Sequence, residues 1–351
     1  MKNISINIIK KTFTIFSFIV ILLLPVSKAS ALTLTPTRLE ISGDAGQTIS
    51  QEMTLINERD TEETYYSSYA NFEAQGESGS PSFIEAKDDV GTWMSSVTSV
   101  VLPPKSSKII QVKINIPKDA DAGGHFGAIF WGNTSSNNNG QLGVGAKTGM
   151  LILLTVNGNV TEKGGILEFS TQNKQTFFTS LPVSFYYRFR NEGGNRIKPN
   201  GNIVFKNIIG MISAKISGNP VEGNVLPNQV RRFETTWQGK DGPTPLEEKD
   251  KGNFFNKIGY EWRNFAFGHY KAEINLSYGL KNEVATALFS FWVFPWHLTI
   301  FVIILLLVIF FGGKFLIKKY NHWVIRQAEE ILRKEDHKKK VHEEKLSNKK
   351  I

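Results

Sequence analysis

A long apolar run near the end of the chain constrains its architecture more than any other feature. Between Leu298 and Phe311 nearly every residue is aliphatic or phenylalanine (LTIFVIILLLVIFF). With His297 before it and residues 312–317 after it, the run reaches the roughly 20 residues that a helix needs to cross a bilayer. A buried core helix is the alternative, but a helix apolar on every face favours lipid. The sequence therefore predicts a transmembrane helix over 295–319.

The residues that flank this run predict its orientation. Trp292 and Trp296 precede it, and indole side chains prefer the headgroup layer of a membrane. Lys314, Lys318 and Lys319 follow it, and a basic flank marks the cytoplasmic side. We therefore expect a single-pass protein of the cell membrane, with its N-terminal part extracytoplasmic and its C-terminal tail cytoplasmic.

The net charge of +9 belongs to the two ends of the chain. Residues 1–31 hold four lysines and no acid, and the residues after Gly313 hold twelve Lys or Arg against six Asp or Glu. The ends thus carry +4 and +6, which leaves −1 for everything between them. A near-neutral region lacks the basic surface that nucleic acids require, so no nucleic-acid partner is expected. The basic tail, 320–351, is predicted to be a solvated helix that contacts anionic lipid or a partner.

The N-terminus has the three parts of a secretory signal peptide. Lys2, Lys10 and Lys11 precede an apolar stretch from Phe13 to Pro25, and Ala29-Ser30-Ala31 (ASA) offers a small-residue cleavage site. We expect residues 1–31 to be removed. An uncleaved membrane anchor is the alternative, although the stretch is shorter than a spanning helix.

The region between the two ends shows the two-residue period of β-strands, separated by turn signals. In KIIQVKINIP, from Lys108, and PVSFYYRFRN, from Pro182, alternate apolar residues would share one face of a strand. These residues are Ile110, Val112, Ile114 and Ile116 in the first stretch, and Val183, Phe185, Tyr187 and Phe189 in the second. Many short strands at this spacing predict β-sandwiches.

Three motifs occur twice in the same order, which predicts a duplicated seven-strand immunoglobulin-like module. The first half has LINERD, VVLPPKSSKIIQVKI and GGHFGAIFW, and the second has RFRNEGG, NVLPNQVRRFETTW and FGHYKAEINLSYG. Asn-Glu, Val-Leu-Pro and Gly-His-aromatic are therefore repeated. His125 and His269 would occupy equivalent places in different domains, each satisfied by backbone at a strand edge rather than joined in a metal site.

The first half, from LTLTPTRLEISGDAGQTISQEMTLIN to GGHFGAIFW, resembles the WxL-interacting (DUF916-type) bacterial cell-surface proteins. The second half, with NVLPNQVRRFETTW and FWVFPW, resembles the domain that follows in that family. More distantly, the chain resembles PapD-like immunoglobulin folds. The family resemblance implies a first domain that associates with peptidoglycan, a second that contacts surface proteins, and one transmembrane helix with a basic tail.

Two segments interrupt the repeat. Residues 132–149 are polar and glycine-rich, which predicts either a flexible hairpin loop or a binding loop. In the insert near 239–266, aromatic and aliphatic residues recur at three- to four-residue steps and predict a short amphipathic helix. This helix either packs on the sandwich edge or contacts a partner or the membrane surface. Its candidate contact residues are Trp262, Phe254 and Phe255.

No motif for catalysis, a cofactor or a metal ion occurs in the sequence. Cysteine is absent, which excludes thiol chemistry, disulfides and Cys-based metal sites. The paired acids Asp88 and Asp89 stand in a loop-like context, and glycosidase carboxylates need a cleft. We therefore expect no enzyme, no cofactor and no metal site.

These observations predict an all-β protein: two tandem immunoglobulin-like β-sandwiches plus one C-terminal transmembrane α-helix. The predicted segments are a signal peptide at 1–31, domain 1 at 32–160, domain 2 at 161–294, the helix at 295–319 and the tail at 320–351. The expected function is binding or scaffolding in the bacterial cell envelope, with surface proteins or peptidoglycan as partners. The alternative is a PapD-like chaperone that holds secreted subunits by donor-strand pairing.

Overall fold

The computed structural model describes residues 32–133, 147–239 and 252–347 and contains two compact units. The first unit comprises the described residues through Gly76, with 80–162 and 193–196. The second comprises 77–79, 163–192 and the described residues from Ile197 onward. The predicted signal peptide lies outside the described residues.

The first unit is a sandwich of two β-sheets. Sheet I has the strand order β1-β3-β8-β6, and sheet II has the order β2-β10-β9-β4-β5, with β7 also paired to β4. All described pairs are antiparallel except β2 with β10. The elements are β1 Leu32–Thr35, β2 Arg38–Gly43, β3 Thr48–Asn57, β4 Glu63–Gln75, β5 Ser80–Glu85, α1 Val90–Trp93, β6 Met94–Ser95, β7 Ser99–Leu102, β8 Ser107–Asn115, β9 Gly123–Gly132 and β10 Lys147–Val156.

The second unit is also a two-sheet sandwich, and it carries two helices. Sheet III has the order β11-β13-β16, and sheet IV has the order β12-β18-β17-β14-β15. The elements are β11 Gly164–Thr171, a 3₁₀ turn Gln172–Lys174, β12 Phe177–Phe178, β13 Val183–Asn191, β14 Asn200–Asn207, β15 Ile212–Ser217, β16 Val230–Trp237, α2 Phe254–Arg263, β17 Gly268–Tyr278, β18 Glu283–Val293 and α3 Trp296–Ser347.

The predicted alternation selects the residues that form each core. Ile110, Val112 and Ile114 of β8 are buried, while the residues between them are exposed. The four predicted core positions of β13, from Val183 to Phe189, are all buried as well. Since successive side chains of a strand point to opposite faces, each run places one face in the space between two sheets. The predicted all-β sandwich class is confirmed.

The two sandwiches share one pattern of strand pairing. β3 pairs with β8 as β13 pairs with β16, and both pairs are antiparallel. The order β2-β10-β9-β4 in sheet II recurs as β12-β18-β17-β14 in sheet IV, and the outermost pair is parallel in both sheets. This shared pairing agrees with the predicted duplication.

A hydrogen bond explains why two of the repeated motifs occur together. Asn57, the last residue of β3, is fully buried, and its Nδ2 donates to the carbonyl of Leu102 at 3.1 Å. Asn191, the last residue of β13, is equally buried and donates from Nδ2 to the carbonyl of Val225 at 2.9 Å. In each sandwich the asparagine therefore ties the end of one strand to the segment that leads into its partner strand.

The structural alignment of the second motif differs by one residue from the alignment of its letters. Lys105 and Asn228 both have positive φ, at 54° and 57°. They follow Pro104 and Pro227, as expected for turns with proline at the second position and a left-handed residue at the third. Pro104, rather than Pro103, thus corresponds to Pro227.

The expectation that His125 and His269 are equivalent is wrong. The glycines with positive φ at the strand starts are Gly123 and Gly268, so the histidine comes two residues later in β9 and one residue later in β17. A shift of one residue moves a side chain to the other face of a sheet. His125 consequently lies beside Trp93, a half-buried residue that packs against the core, whereas His269 lies on the outer face of sheet IV.

The predicted apolar segment is part of a continuous helix, α3, which runs through the basic residues to Ser347. Trp296–Lys334 is long and apolar enough to cross a membrane, and its most apolar 18-residue stretch is not buried against the rest of the chain. Only its first turn packs on the sandwich, where His297 and Leu298 are buried. At 1.5 Å per residue the helix is about 78 Å long, more than twice the thickness of a hydrocarbon core.

Candidate functional site

Helix α2 carries the three candidate contact residues of the sequence analysis, and its aromatic side faces outward. Asn253 caps the helix, and its side chain accepts a hydrogen bond from the Asn256 amide at 3.1 Å. Phe255 and Trp262 are each 70% exposed and Phe254 is 37% exposed. The opposite side of the helix is buried, with Glu261 only 2% exposed. The helix thus packs on its own unit while it also presents an aromatic surface.

The buried side of α2 holds the first turn of α3. One carboxyl oxygen of Glu261 lies 2.6 Å from Nδ1 of His297, and the other accepts the Leu298 amide at 2.8 Å. The first amides of a helix have no acceptor within the helix, so Glu261 supplies one from another element. Its negative charge also suits the positive end of the helix dipole. The acid and the histidine are 36 residues apart, so their contact is not evident from the sequence.

Exposed aromatic residues surround the start of α3, and we refer to them as the aromatic cluster. Phe254 contacts the ring of His297, Phe267 contacts Phe294, and Trp296 stacks on His297. The cluster comprises Phe254, Phe255, Trp262, Phe265, Phe267, Trp292 and Trp296, each exposed by more than a third. Aromatic side chains of this kind favour the boundary between water and hydrocarbon.

A second candidate surface, not predicted from the sequence, is a groove on the outer face of sheet II. Phe83 and Phe130 meet edge to face with ring centroids 4.8 Å apart, and Phe83 is 45% exposed. Gly149 lies opposite Phe130 in the register, and a Cβ there would come within 2.6 Å of the Phe130 ring, so glycine makes room for it. The groove has a volume of about 670 Å³ and is lined by Pro36, Thr37, Arg38, Pro81, Phe83, Phe130, Gly149 and Leu151.

A strand edge borders this groove. β2 pairs with β10 over Leu151–Val156 only, because the chain leaves sheet I after β1 and joins sheet II at Arg38. In the part of the chain that the structure describes, the backbone of residues 147–150 of β10 therefore pairs with β9 alone, and β1 is joined to it by the Thr148 hydroxyl, which donates to the Leu32 carbonyl at 3.1 Å. Strand edges of this kind can accept another chain as an added strand. The preceding loop, predicted as flexible or binding, lies largely outside the described residues, at 134–146.

His125 has both a backbone and an acidic partner. Its Nε2 lies 2.8 Å from the Asp121 carbonyl, as expected for a histidine satisfied by backbone, and its Nδ1 lies 2.5 Å from Asp89 Oδ1. Burial lowers the pKa of His125, but the hydrogen bonds to Asp89 and Asp121 outweigh it and leave the pKa raised. Asp89 also accepts the Val90 amide and starts α1.

The described residues contain no group of three or more His, Asp or Glu side chains arranged to hold a metal ion. His269 contacts the ring of Trp292 on the outer face of sheet IV. Neither histidine of the sandwiches therefore belongs to a metal cluster within the described ranges.

Comparison with known proteins gives matches of fold only. No protein-family model and no curated protein matches the chain. Among solved structures it is similar to the class 5 fimbrial chaperone CfaA, with 12% identity, 74% of this chain and 99% of that chain covered, and a TM-score of 0.37. The chaperone DraB of E. coli gives 10% identity, coverages of 75% and 97%, and a TM-score of 0.32. A Salmonella enterica structure of SafA pilin with the SafB chaperone gives 8% identity, coverages of 76% and 98%, and a TM-score of 0.33.

Identities and TM-scores at this level concern the fold class alone. The resemblance to the WxL-interacting family stays a prediction.

Proposed function

We propose that this protein is a membrane-tethered binding protein of the bacterial cell envelope that holds an extended segment of another polypeptide. In this proposal the domains at 32–160 and 161–294 lie outside the membrane, the segment at 295–319 crosses it, and the basic residues 320–351 lie inside. The predicted signal peptide would direct the chain across the membrane.

The groove on sheet II is the observation that carries the proposal. Its floor and rim are formed mainly by Phe83, Phe130, Leu151 and two prolines, and the edge of β10 borders it. A strand laid beside that edge would bond through its backbone and turn alternate side chains toward the groove. A glycan such as peptidoglycan needs many hydrogen-bonding side chains, and this lining offers few. We therefore favour a polypeptide partner.

The apolar helix and the aromatic cluster support the membrane tether. The cluster surrounds the residues where α3 begins, and lysines at 314, 318 and 319 follow the apolar run. This order, aromatic residues, then apolar run, then basic residues, is typical of a helix whose C-terminal end is cytoplasmic. Trp262, Phe254 and Phe255 would then contact the lipid headgroup layer on the outer side.

The second candidate function is a chaperone that holds secreted subunits. The edge of β10 at residues 147–150, whose backbone pairs with β9 alone among the described strands, favours it, because donor-strand pairing uses an edge of this kind. The two functions differ in how long the partner stays bound. A photoreactive residue in place of Phe83 would distinguish them in growing cells. Newly made proteins are labelled in a short pulse, and the cross-link is formed by light at successive times of the chase. A scaffold keeps its cross-linked partner throughout the chase, whereas a chaperone loses it as subunits are released.

Binding of synthetic peptides to the full chain in nanodiscs tests the proposal directly. Peptides that alternate apolar and polar residues should bind better than peptides of the same composition with contiguous apolar residues. Because Phe83 is about half exposed, its burial by a partner contributes about 1 kcal/mol, and Phe83→Ser should weaken binding about fivefold.

Phe177→Ser is the matched control, because Phe177 is an exposed phenylalanine in the second unit. It should leave peptide binding unchanged. Equal binding of the two kinds of peptide, or equal losses with the two substitutions, would refute the groove as the binding site.

A further inference from the structure

The turn between β14 and β15 exposes an unusual concentration of large aliphatic side chains. Ile208, Ile209, Met211 and Ile212 are 74%, 73%, 62% and 66% exposed. Turns of soluble domains are commonly built from polar residues, glycine and proline. The stretch from Asn207 to Ile212 contains no charged residue. Four such side chains within five residues cost solubility unless something covers them.

Backbone hydrogen bonds hold this turn in a fixed conformation. The Asn207 amide donates to the Met211 carbonyl, and the Asn207 carbonyl accepts the Gly210 amide, both at 2.9 Å. The Asn207 side chain accepts the Met211 amide at 2.9 Å. Gly210 has a φ of +81°, which only glycine adopts without strain. The aliphatic side chains are therefore presented on a preorganised tip and do not fold back onto the sandwich.

The register of sheet IV places this tip at the end of the sheet from which α3 leaves. Asn207 lies opposite Tyr270 of β17, and Tyr270 lies opposite Phe291 of β18. β18 ends two residues later, and α3 begins at Trp296. Neighbouring strands are about 4.8 Å apart, so the tip lies about 10–15 Å to the side of the end of β18.

The lipid surface is the occupant that this position favours. If α3 crosses a bilayer, the end of sheet IV where β18 leads into α3 lies next to the lipid headgroups. The tip of the β14–β15 turn lies at the same end. The exposed Trp292 and Trp296 mark the same end as an interface. Apolar side chains can enter the boundary between headgroups and acyl chains, about 5–10 Å deep, while the backbone stays near the surface.

We propose that the β14–β15 turn, through Ile208, Ile209, Met211 and Ile212, inserts into the outer leaflet of the membrane that α3 crosses, as a second point of attachment for the second sandwich. This inference depends on the proposed membrane tether. One attachment leaves a domain able to tilt about its linker. Two attachments 10–15 Å apart, by the strand spacing given above, restrict that tilt.

Site-specific labelling of the full chain tests the inference, and the absence of native cysteine makes it direct. Single cysteines would replace Ile209, Leu280 and Leu306 in separate variants, each labelled with an environment-sensitive fluorophore. The variants would be reconstituted in nanodiscs of phosphatidylcholine and phosphatidylglycerol. Nitroxides near the headgroup end or in the middle of the acyl chains then report depth, and aqueous iodide reports exposure to water.

Leu280 is the matched control, because it is an exposed aliphatic residue in the β17–β18 turn at the opposite end of sheet IV. The label at 209 should shift its emission to the blue, be quenched by shallow nitroxides and resist iodide. The fluorescence of the label at 280 should be quenched by iodide and should not be quenched by the nitroxides. A label at 209 as accessible to iodide as the label at 280 overturns the inference.

The label at 306 separates this inference from the proposed tether. Leu306 lies in the middle of the apolar run, so a spanning helix places it beside the deep nitroxides. Deep quenching at 306 with an aqueous label at 209 refutes the tip insertion alone. No deep quenching at 306 refutes the tether and the tip insertion together.

Discussion

Replacing Asn57 with alanine should destabilise the first sandwich, because its side chain makes five hydrogen bonds. Nδ2 donates its two hydrogens to the carbonyls of Thr61, Leu102 and Pro103, at 2.8, 3.1 and 3.0 Å, so that one hydrogen is shared between two acceptors. Oδ1 accepts the Arg59 amide at 3.0 Å and the Tyr65 hydroxyl at 3.1 Å. Asn57→Ala removes all five bonds and leaves no polar atom in their place.

The burial of these hydrogen-bond partners determines how much folding free energy Asn57→Ala loses. The bonds to the Leu102 carbonyl and the Tyr65 hydroxyl are buried, and each loss costs about 1–1.5 kcal/mol. The other three partners are partly buried, so water can reach them and each loss costs about 0.5 kcal/mol. The total is about 4 kcal/mol, or about a thousandfold in the equilibrium for opening the sandwich.

Hydrogen exchange of the full chain in nanodiscs measures this effect locally. Amides of β3 and β8 should exchange about 100- to 1000-fold faster in Asn57→Ala, while those of β13 and β16 in the second unit keep their rates. Asn115→Ala is the control, since Asn115 is exposed and accepts one bond from Thr48. Acceleration of less than about tenfold, or equal to the control, would show that the side-chain bonds do not hold the strand ends.

Three further predictions concern the second unit and the effect of pH. Glu261→Ala should cost about 2–3 kcal/mol and increase proteolysis at the first turn of α3, because His297 and the Leu298 amide lose their acceptor. Glu261→Gln, which keeps an acceptor, should lose less. Thermal unfolding should show that the first unit is more stable at pH 5.5 than at pH 8, because folding raises the pKa of His125. The stability from this shift is complete below the pKa of the unfolded state, about 6.5, and is lost as the pH rises through the pKa of the folded state. His125→Asn should remove this dependence on pH. Trp262→Ala should change the unfolding temperature little but reduce labelling of α2 by a photoactivatable lipid, since the indole is mostly exposed; lower stability with unchanged labelling would contradict it.

The chain's local patterns were sufficient to predict its strands and its long helix. Ile110 and Val112, or Phe185 and Tyr187, are two residues apart, and this spacing alone assigns them to one face of a strand. The apolar run from Leu298 needs no partner to be recognised as a long helix. The repeated motifs predicted a duplicated plan, and the two sandwiches share one strand pairing, although the second and third motifs are each offset by one residue between them.

Long-range packing determined which of these surfaces are available to partners. The periodicity of α2 was evident in the sequence, but only the tertiary structure buries Glu261 against His297 and leaves Trp262 outside. The groove combines residues of β2, β5, β9 and β10, and the position of the Ile208–Ile209 tip depends on the register of sheet IV. Periodicity reports which residues share a face over a few turns or pleats. Which face is covered, and what stands beside it, depends on contacts between segments far apart in the chain, and short-range patterns do not encode those contacts.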